Sequence, residues 1–174
     1  MAISNLSSGF RPGVCTSTTR PTAPYEGQMI YETDTNLLLV YNGSAWVCIT
    51  PQSATVATTQ TTTSTSYTDL TTSGPAVTLA TGTSALVTVA FQGYNSGAGY
   101  LSYMSVAVSG ATTIAAADST AAVVRYDNNI SASATFLLTG LTAGSNTFTA
   151  KYKTSTAATT ATFINRHLTV VGVP

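Results

Sequence analysis

An all-β fold is what this sequence predicts, and three features of its composition and patterning lead to that prediction. From residue 27 onwards, short runs rich in Val, Thr, Tyr and Phe alternate with clusters of turn residues. Hydrophobic residues make up 44% of the chain, which is more apolar surface than disordered segments carry, while only 7% of residues are charged. Residues 111–122 have an alanine content that favours a helix, but their threonines and serines weaken that preference, so a loop or short strand is expected there.

In chain order, the first predicted element is an extended arm formed by residues 1–26. Pro12, Pro21 and Pro24 fall in this stretch. Because proline fixes φ and lacks an N–H, the segment is expected to reach outwards rather than pack on itself. Its few apolar residues and an arginine are the side chains best suited to an interface. The candidate anchoring residues are Ile3, Leu6, Phe10 and Arg11.

A small three-stranded meander is predicted for residues 27–50, with strands at 28–33, 37–41 and 46–50. The triplets Asp-Thr-Asn and Asn-Gly-Ser between them are typical of tight turns and hairpins. About 24 residues are too few to cover both sides of a sheet, and isolated small sheets are only marginally stable in water. The meander is therefore expected to pack on copies of itself or on the domain that follows.

The rest of the chain is predicted to be a linker and a β-sandwich. Residues 51–66 are rich in threonine and form either a linker or a first strand. Over residues 67–174, strands and turns alternate at the spacing of a sandwich or jelly roll. The predicted strands cover residues 67–70, 76–79, 85–91, 100–108, 123–126, 134–138, 146–152 and 161–171.

Two parts of the chain resemble known families. Residues 19–47, TRPTAPYEGQMIYETDTNLLLVYNGSAWV, contain a Gly followed by Tyr-x-Thr-Asp-Thr and then Tyr-Asn-Gly-x-x-Trp. This order resembles a short β module that recurs in bacteriophage virion proteins, especially tail and head fibres. Residues 138–154 and 161–173 resemble the closing strands of tumour-necrosis-factor/C1q-like (TNF/C1q-like) jelly rolls, found as trimeric heads on phage fibres and decoration proteins. The segment Gly-Leu-Thr-Ala-Gly also suits fibronectin type III or immunoglobulin-like sandwiches, which leaves the topology open.

These resemblances imply a non-enzymatic structural protein of a phage virion, either a capsid decoration protein or a short head fibre. They imply a homotrimer whose N-terminal arm binds a phage capsid or tail protein. The N-terminus shows neither a basic region nor an apolar core of a secretory signal. Assembly in the host cytoplasm and release by lysis are therefore expected to place the protein in the virion. The alternative is a tail-fibre or tip protein that binds a receptor or glycan on the host surface.

Aromatic residues are the candidates for subunit contacts, because a tyrosine ring buries area while its hydroxyl finds a partner. Tyr94, Tyr100 and Tyr103 surround a glycine-rich loop, where a patch that stacks on sugars is the alternative to a subunit interface. The candidate interface residues are Tyr31, Tyr41, Trp46, Tyr94, Tyr100 and Tyr103.

The charge, apolar runs and cysteines of the chain argue against a nucleic-acid partner, membrane insertion and a disulfide. With six basic and six acidic residues, the chain has no field that would steer nucleic acid towards it. No run of 18 apolar residues occurs, so membrane insertion is not expected. Cys15 and Cys48 allow one disulfide, but a thiol in the strand pattern around Cys48 behaves as a small hydrophobe, and reduced thiols are expected.

Candidate catalytic and metal-binding residues are sparse. His167 is the only histidine, and it is expected on a strand surface or interface rather than in a catalytic site. Residues 32–34 and 126–129 are weak candidates for a cation, and turn capping, by Asp34 in the first of them, is the preferred interpretation. No metal or other cofactor is expected.

Overall fold

The computed structural model describes residues 11–125 and 128–174, so the predictions for Ile3, Leu6 and Phe10, and part of the segment 126–129, lie outside the described residues. The strands are β1 (Gly13–Cys15), β2 (Met29–Glu32), β3 (Leu37–Tyr41), β4 (Trp46–Cys48), β5 (Gln52–Val56), β6 (Gln60–Thr62), β7 (Ala76–Thr81), β8 (Ser84–Asn95), β9 (Ser102–Gly110), β10 (Ala122–Val124), β11 (Ile130–Thr139), β12 (Gly144–Thr154) and β13 (Ala161–Val173). One turn of 3₁₀ helix, Asp118–Thr120, lies in the alanine-rich segment 111–122, which is otherwise irregular up to β10.

The N-terminal sheet, called the module below, has the strand order β1–β2–β3–β4. Strands β2, β3 and β4 form the predicted antiparallel meander. The fourth strand corrects the prediction of an extended arm over residues 1–26, because residues 13–15 pair in parallel with β2. Parallel neighbours need a crossover of a dozen or more residues, and the proline-containing stretch 16–28 supplies it.

Two acidic side chains hold this crossover in place. Asp34 accepts hydrogen bonds from the backbone N–H of Ser17 at 3.0 Å and from the Ser17 hydroxyl at 2.6 Å. Glu32 is fully buried, pairs with the Nε of Arg20, and accepts a 2.8 Å bond from the hydroxyl of Thr35. Asp34 therefore caps a turn 17 residues upstream. The pKa of its carboxyl is lowered by the Ser17 hydroxyl and also by hydrogen bonds from the backbone of Asp34 and Thr35, in its own turn.

The sandwich consists of two antiparallel sheets with the strand orders β10–β9–β12–β7 and β11–β8–β13–β5, and β6 also pairs with β13. Going along the chain, β5, β7, β8 and β9 alternate between the sheets, and β11, β12 and β13 alternate again. This interleaving is the double Greek key of a jelly roll. It excludes the fibronectin and immunoglobulin alternatives, whose early strands are neighbours in one sheet.

The core lies between these two sheets and is built by period-two alternation along the long strands. In β8, Val87, Val89 and Phe91 are buried while the residues between them face outwards. The ring of Phe163 in β13 lies with its centroid 5.0 Å from that of Phe91 and 4.8 Å from that of Tyr152 in β12. The aromatic cluster thus joins both sheets.

Most of the predicted sandwich strands are present with longer bounds, and the segment 67–70 is the exception. There only Thr68 pairs, exchanging two backbone hydrogen bonds with Tyr152 at 3.0 and 2.9 Å. The rest of the segment 67–70 forms no strand, because β7 already pairs with residues 144–149 of β12. Residues 51–66 contain two strands, β5 and β6, which border β13.

The module packs on the sandwich of its own chain through β4, which contacts β7 and β13. Two glycines permit this approach. A Cβ on Gly172 would lie 2.6 Å from the carbonyl oxygen of Cys48, and one on Gly82 would lie 3.3 Å from a methyl of Val47. Val47 and Cys48 are fully buried. Of the two packing modes expected for the meander, this structure shows the one on the following domain.

Candidate functional site

The outward side of the sheet β11–β8–β13–β5, called the uncharged face, contains no Asp, Glu, Lys or Arg. One row of this face is apolar, because register places Leu86 between Leu137 and Val171. Leu137 is 56% exposed and Leu86 42% exposed. Neighbouring exposed apolar side chains without a charge among them make this row a candidate interaction surface.

The next two rows of the uncharged face are lined by hydroxyls. Thr88 lies between Thr135 and Thr169, and its hydroxyl is 2.9 Å from that of Thr135. In the row beyond, the Nδ1 of His167 lies 3.0 Å from the hydroxyl of Thr55. His167 is therefore exposed on a strand surface, and its neighbours on this face are uncharged.

Strand β11 forms one border of the same sheet and is an open edge. All ten of its residues pair with β8 on one side. On the other side its backbone makes no hydrogen bond to any residue that the structure describes. The strand has no proline, lysine or bulge, which are the usual devices that keep an edge from pairing with other chains.

The outward side of the other sheet differs, because the charged residues of the sandwich surface cluster there. Lys153 Nζ lies 2.6 Å from Asp118 Oδ1, and 4.9 and 4.6 Å from the ring centroids of Tyr67 and Tyr103. The Tyr67 hydroxyl donates a 2.9 Å bond to the same oxygen of Asp118. The Lys153 ammonium lowers the pKa of Asp118, and burial raises the pKa of Tyr67.

The structure divides the aromatic residues of the module between two sides of its sheet. Tyr41 and Trp46 form a cross-strand pair with ring centroids 5.4 Å apart. Tyr31 lies opposite Leu38 on the other side, where its hydroxyl donates to Asn36 at 2.9 Å. All three aromatic rings are half-buried.

The sandwich tyrosines are not brought together either. Tyr94, near the end of β8, faces outwards from one sheet, and Tyr103 in β9 faces outwards from the other. Tyr100 lies in the loop between these strands and is 45% exposed. The glycine-rich loop therefore does not gather a three-tyrosine patch. Arg11, the anchoring candidate within the described residues, is exposed.

Arg166 is a buried cation that the sequence reasoning did not single out. Its guanidinium donates to Gln60 Oε1 at 3.1 Å and to the carbonyl oxygens of Thr58, Thr72 and Gly74 at 3.2 to 3.4 Å. The sequence pattern could have indicated its burial, because Arg166 lies two residues before Leu168 and therefore on the same, inward side of β13. Arg166 ties two loops to this strand, and its role is structural.

Of the two predicted cation candidates, residues 32–34 have partners within the chain, while part of the segment 126–129 lies outside the described residues. Glu32 pairs with Arg20, and Asp34 binds Ser17, whose hydroxyl lowers the pKa of the Asp34 carboxyl. Across residues 11–125 and 128–174, no three His, Cys, Asp or Glu side chains converge where they would hold a metal ion.

Both cysteines, Cys15 and Cys48, are free thiols. The pKa of each thiol is raised, mainly by burial.

In the described part of the chain, no helix has the length and hydropathy to span a membrane.

Comparison with known proteins gives only distant structural matches. No family model matches the chain, and no curated protein does. Among solved structures, the VP2 subviral particle of infectious bursal disease virus matches with a TM-score of 0.49 and 14% identity over 87% of this chain. The Gx strain of the same virus matches with a TM-score of 0.48 and 12% identity over 88% of this chain. The chain spans 41% of the length of each of these. Both TM-scores lie below 0.5, so neither match bears on the function of this chain.

Proposed function

We propose that this chain is a non-enzymatic structural protein of a bacteriophage virion, a capsid decoration protein or short head fibre, that assembles as a homotrimer. The observation that carries the proposal is the uncharged face, with its exposed Leu86 and Leu137. The phage assignment rests on the resemblance of residues 19–47 to a module of phage virion proteins. A jelly roll is also an architecture that occurs in viral capsid domains.

Self-association is favoured because the uncharged face and the open edge of β11 border each other. An edge strand of one copy that packs on the face of the next makes a heterologous contact, which closes into a ring when the rotation fits. Burial of Leu137 in this contact would remove a large apolar side chain from water, which contributes about 1.5–3 kcal/mol per fully buried side chain. No ion is buried in this contact, and the hydroxyls of Thr88 and Thr135 already bond each other. The open backbone groups of β11 must find hydrogen-bond partners on the next copy.

In the proposed trimer, the main contacts between copies do not come from the module. The meander was expected to pack on copies of itself or on the following domain, and Val47 and Cys48 pack on the sandwich of the same chain. The contact between copies is therefore assigned to the sandwich sheet. The aromatic pair Tyr41 and Trp46, half-buried on the module, is a secondary candidate for it.

Attachment to the particle is assigned to the N-terminal arm, with Ile3, Leu6, Phe10 and Arg11 as contacts. Because residues 13–15 are a strand of the module, the arm proper ends before Gly13. Deleting residues 1–12 should leave a folded oligomer that no longer decorates purified virions, as measured by immunogold labelling. Full occupancy by the truncated protein would place the attachment site in the module or the sandwich instead.

The non-enzymatic role is supported by the surroundings of His167. A catalytic histidine is usually oriented by a third group while it activates a nucleophile. Here the ring nitrogen contacts the Thr55 hydroxyl at 3.0 Å, and the strands around it contribute no carboxylate to the same face.

Oligomeric state is the direct test of the proposal. In sedimentation equilibrium at micromolar concentration, the parent chain should behave as a trimer and the variant Leu137→Lys as a monomer with an unchanged circular dichroism spectrum. The matched control is Val123→Lys, which places the same charge at a 39% exposed apolar residue of the opposite sheet and should remain trimeric. A monomeric parent chain, or a trimeric Leu137→Lys variant, would overturn the assignment.

A further inference from the structure

A trough runs along the outward side of the sheet β10–β9–β12–β7. Its floor includes Ala107 of β9 and Lys151 of β12, and residues 65–67 and 113–116 line its sides. Two open depressions of about 450 and 330 Å³ lie along it and share Ala107, Ala115 and Lys151. These volumes fall in the range of small-ligand sites in proteins.

One end of the trough is closed by side chains from both sides. The Tyr67 hydroxyl reaches across to Asp118 at 2.9 Å, and Lys153 lies beside both of them. On the floor, Lys151 Nζ binds Asp69 Oδ2 at 2.6 Å. The two lysines and two aspartates balance in charge. These two ion pairs hold the lysine and aspartate side chains in place in the absence of a ligand.

Part of this hydrogen-bonding capacity is unused. Asp118 Oδ1 accepts both the Lys153 and the Tyr67 bond, while Oδ2 accepts none from the residues that the structure describes. The Asp118 side chain is 57% exposed. An ammonium group has three N–H donors, and the Lys151 ammonium donates one hydrogen bond within the described residues, to Asp69. The trough therefore presents a free acceptor and free donors beside a floor of small side chains.

These features distinguish between classes of ligand. An anion gains little, because each lysine is already paired with an aspartate. An extended peptide that adds a strand needs an open edge, and the floor strands β9 and β12 are paired with each other along their length. A sugar ring matches the trough, since its hydroxyls both donate and accept while its apolar side packs on the alanine methyls and the Tyr67 ring.

We propose that this trough is a binding site for a neutral oligosaccharide. The site lies on the sheet opposite the uncharged face, so it stays accessible when copies associate as proposed above. It does not depend on that association, and a monomeric variant would retain it.

The test uses the full chain and defined neutral probes: maltohexaose, tetra-N-acetylchitotetraose, a β-1,4-galactan hexamer and a mannan hexamer. Binding is measured by isothermal titration calorimetry and saturation-transfer NMR. At least one probe should bind, and Ala115→Trp, which fills the trough from an exposed loop position, should weaken its affinity at least tenfold. Lys151→Met should weaken it at least threefold through loss of donors.

The matched control is Ala157→Trp, an equally exposed alanine in the loop before β13, which should bind the probe as the parent does. Melting temperatures of all variants within a few degrees of the parent show that they fold. The proposal is overturned if none of the four probes binds with a Kd of about 1 mM or tighter, or if Ala115→Trp binds like the parent. Sedimentation of the same samples reports separately on the proposed trimer.

Discussion

Replacing Arg20 with methionine should destabilise the module, because it leaves the Glu32 carboxylate buried with only the Thr35 hydroxyl as a hydrogen-bond donor. Glu32 is 0% exposed, whereas the Arg20 side chain is 31% exposed. Removing one partner of a fully buried ion pair costs about 3–5 kcal/mol. Because water screens the exposed part of Arg20, the expected loss is about 2 kcal/mol. Methionine keeps the packing of the aliphatic stem, so the loss reports on the charge.

Trp46 makes the measurement specific to the module. It is the only tryptophan of the chain, and its ring lies against Tyr41 in the module sheet. Urea unfolding followed by its fluorescence should show a midpoint about 1–2 M lower for Arg20→Met, given a slope of about 1–2 kcal/mol/M.

The control is a double-mutant cycle with Glu32→Gln, which removes the negative charge at constant volume. The double variant should be more stable than the sum of the two single losses, by about 1–2 kcal/mol, because the neutral amide no longer requires a cation. An Arg20→Met midpoint equal to that of the parent, or strictly additive losses, would refute the view that this ion pair holds the crossover between β1 and β2.

Three further predictions concern the junction, the charged face and the absence of cofactors. Gly172→Ala should lower the melting temperature and shift Trp46 fluorescence, because its Cβ would lie 2.6 Å from the Cys48 carbonyl oxygen and 2.8 Å from a Val47 methyl. Asp118→Asn should destabilise the protein at neutral pH but not in acid. The Lys153 ammonium lowers the pKa of Asp118. The ionised Asp118 carboxylate therefore stabilises the folded state at a pH above the ordinary aspartate pKa, and this stabilisation is lost as the pH falls through the lowered pKa. Chelator and reductant should leave the melting temperature unchanged.

Each of these has an outcome that contradicts it. Gly172→Ala should be compared with Val173→Ala at the next, half-buried position, and equal effects would mean that the junction is not tight. A difference between Asp118→Asn and the parent that persists at acidic pH would show that the carboxylate charge is not its source. A large drop with chelator would reveal a metal site, and one with reductant a disulfide.

The strands themselves were predictable to a large extent. Alternation of apolar and polar residues is a local property, and it placed β8, β12 and β13 within a few residues of their bounds. Where pairing is not local, the same reasoning went wrong. It predicted a strand over residues 67–70, where β7 already occupies the neighbouring half of β12, and an arm over residues that include β1.

The candidate sites were less predictable than the strands. Residue type alone selected aromatic residues for the interface, yet Tyr94 and Tyr103 face outwards from different sheets. The uncharged face depends on register, which sets Leu86 beside Leu137 although 51 positions separate them in the sequence (137 − 86). The trough depends on Tyr67 and Asp118, which meet from two separate loops.

By itself, the sequence determined an all-β chain with a charge-poor surface, a small N-terminal sheet and a following sandwich. These properties come from composition and from the two-residue period of a strand, and neither requires knowledge of distant partners. Only the tertiary structure decided the jelly-roll strand order, the parallel pairing of β1, the burial of Arg166 and the separation of an uncharged from a charged face. Strand pairing brings together residues far apart in the chain, and which pairing wins depends on the summed packing of both sheets, to which any short segment contributes only a small part.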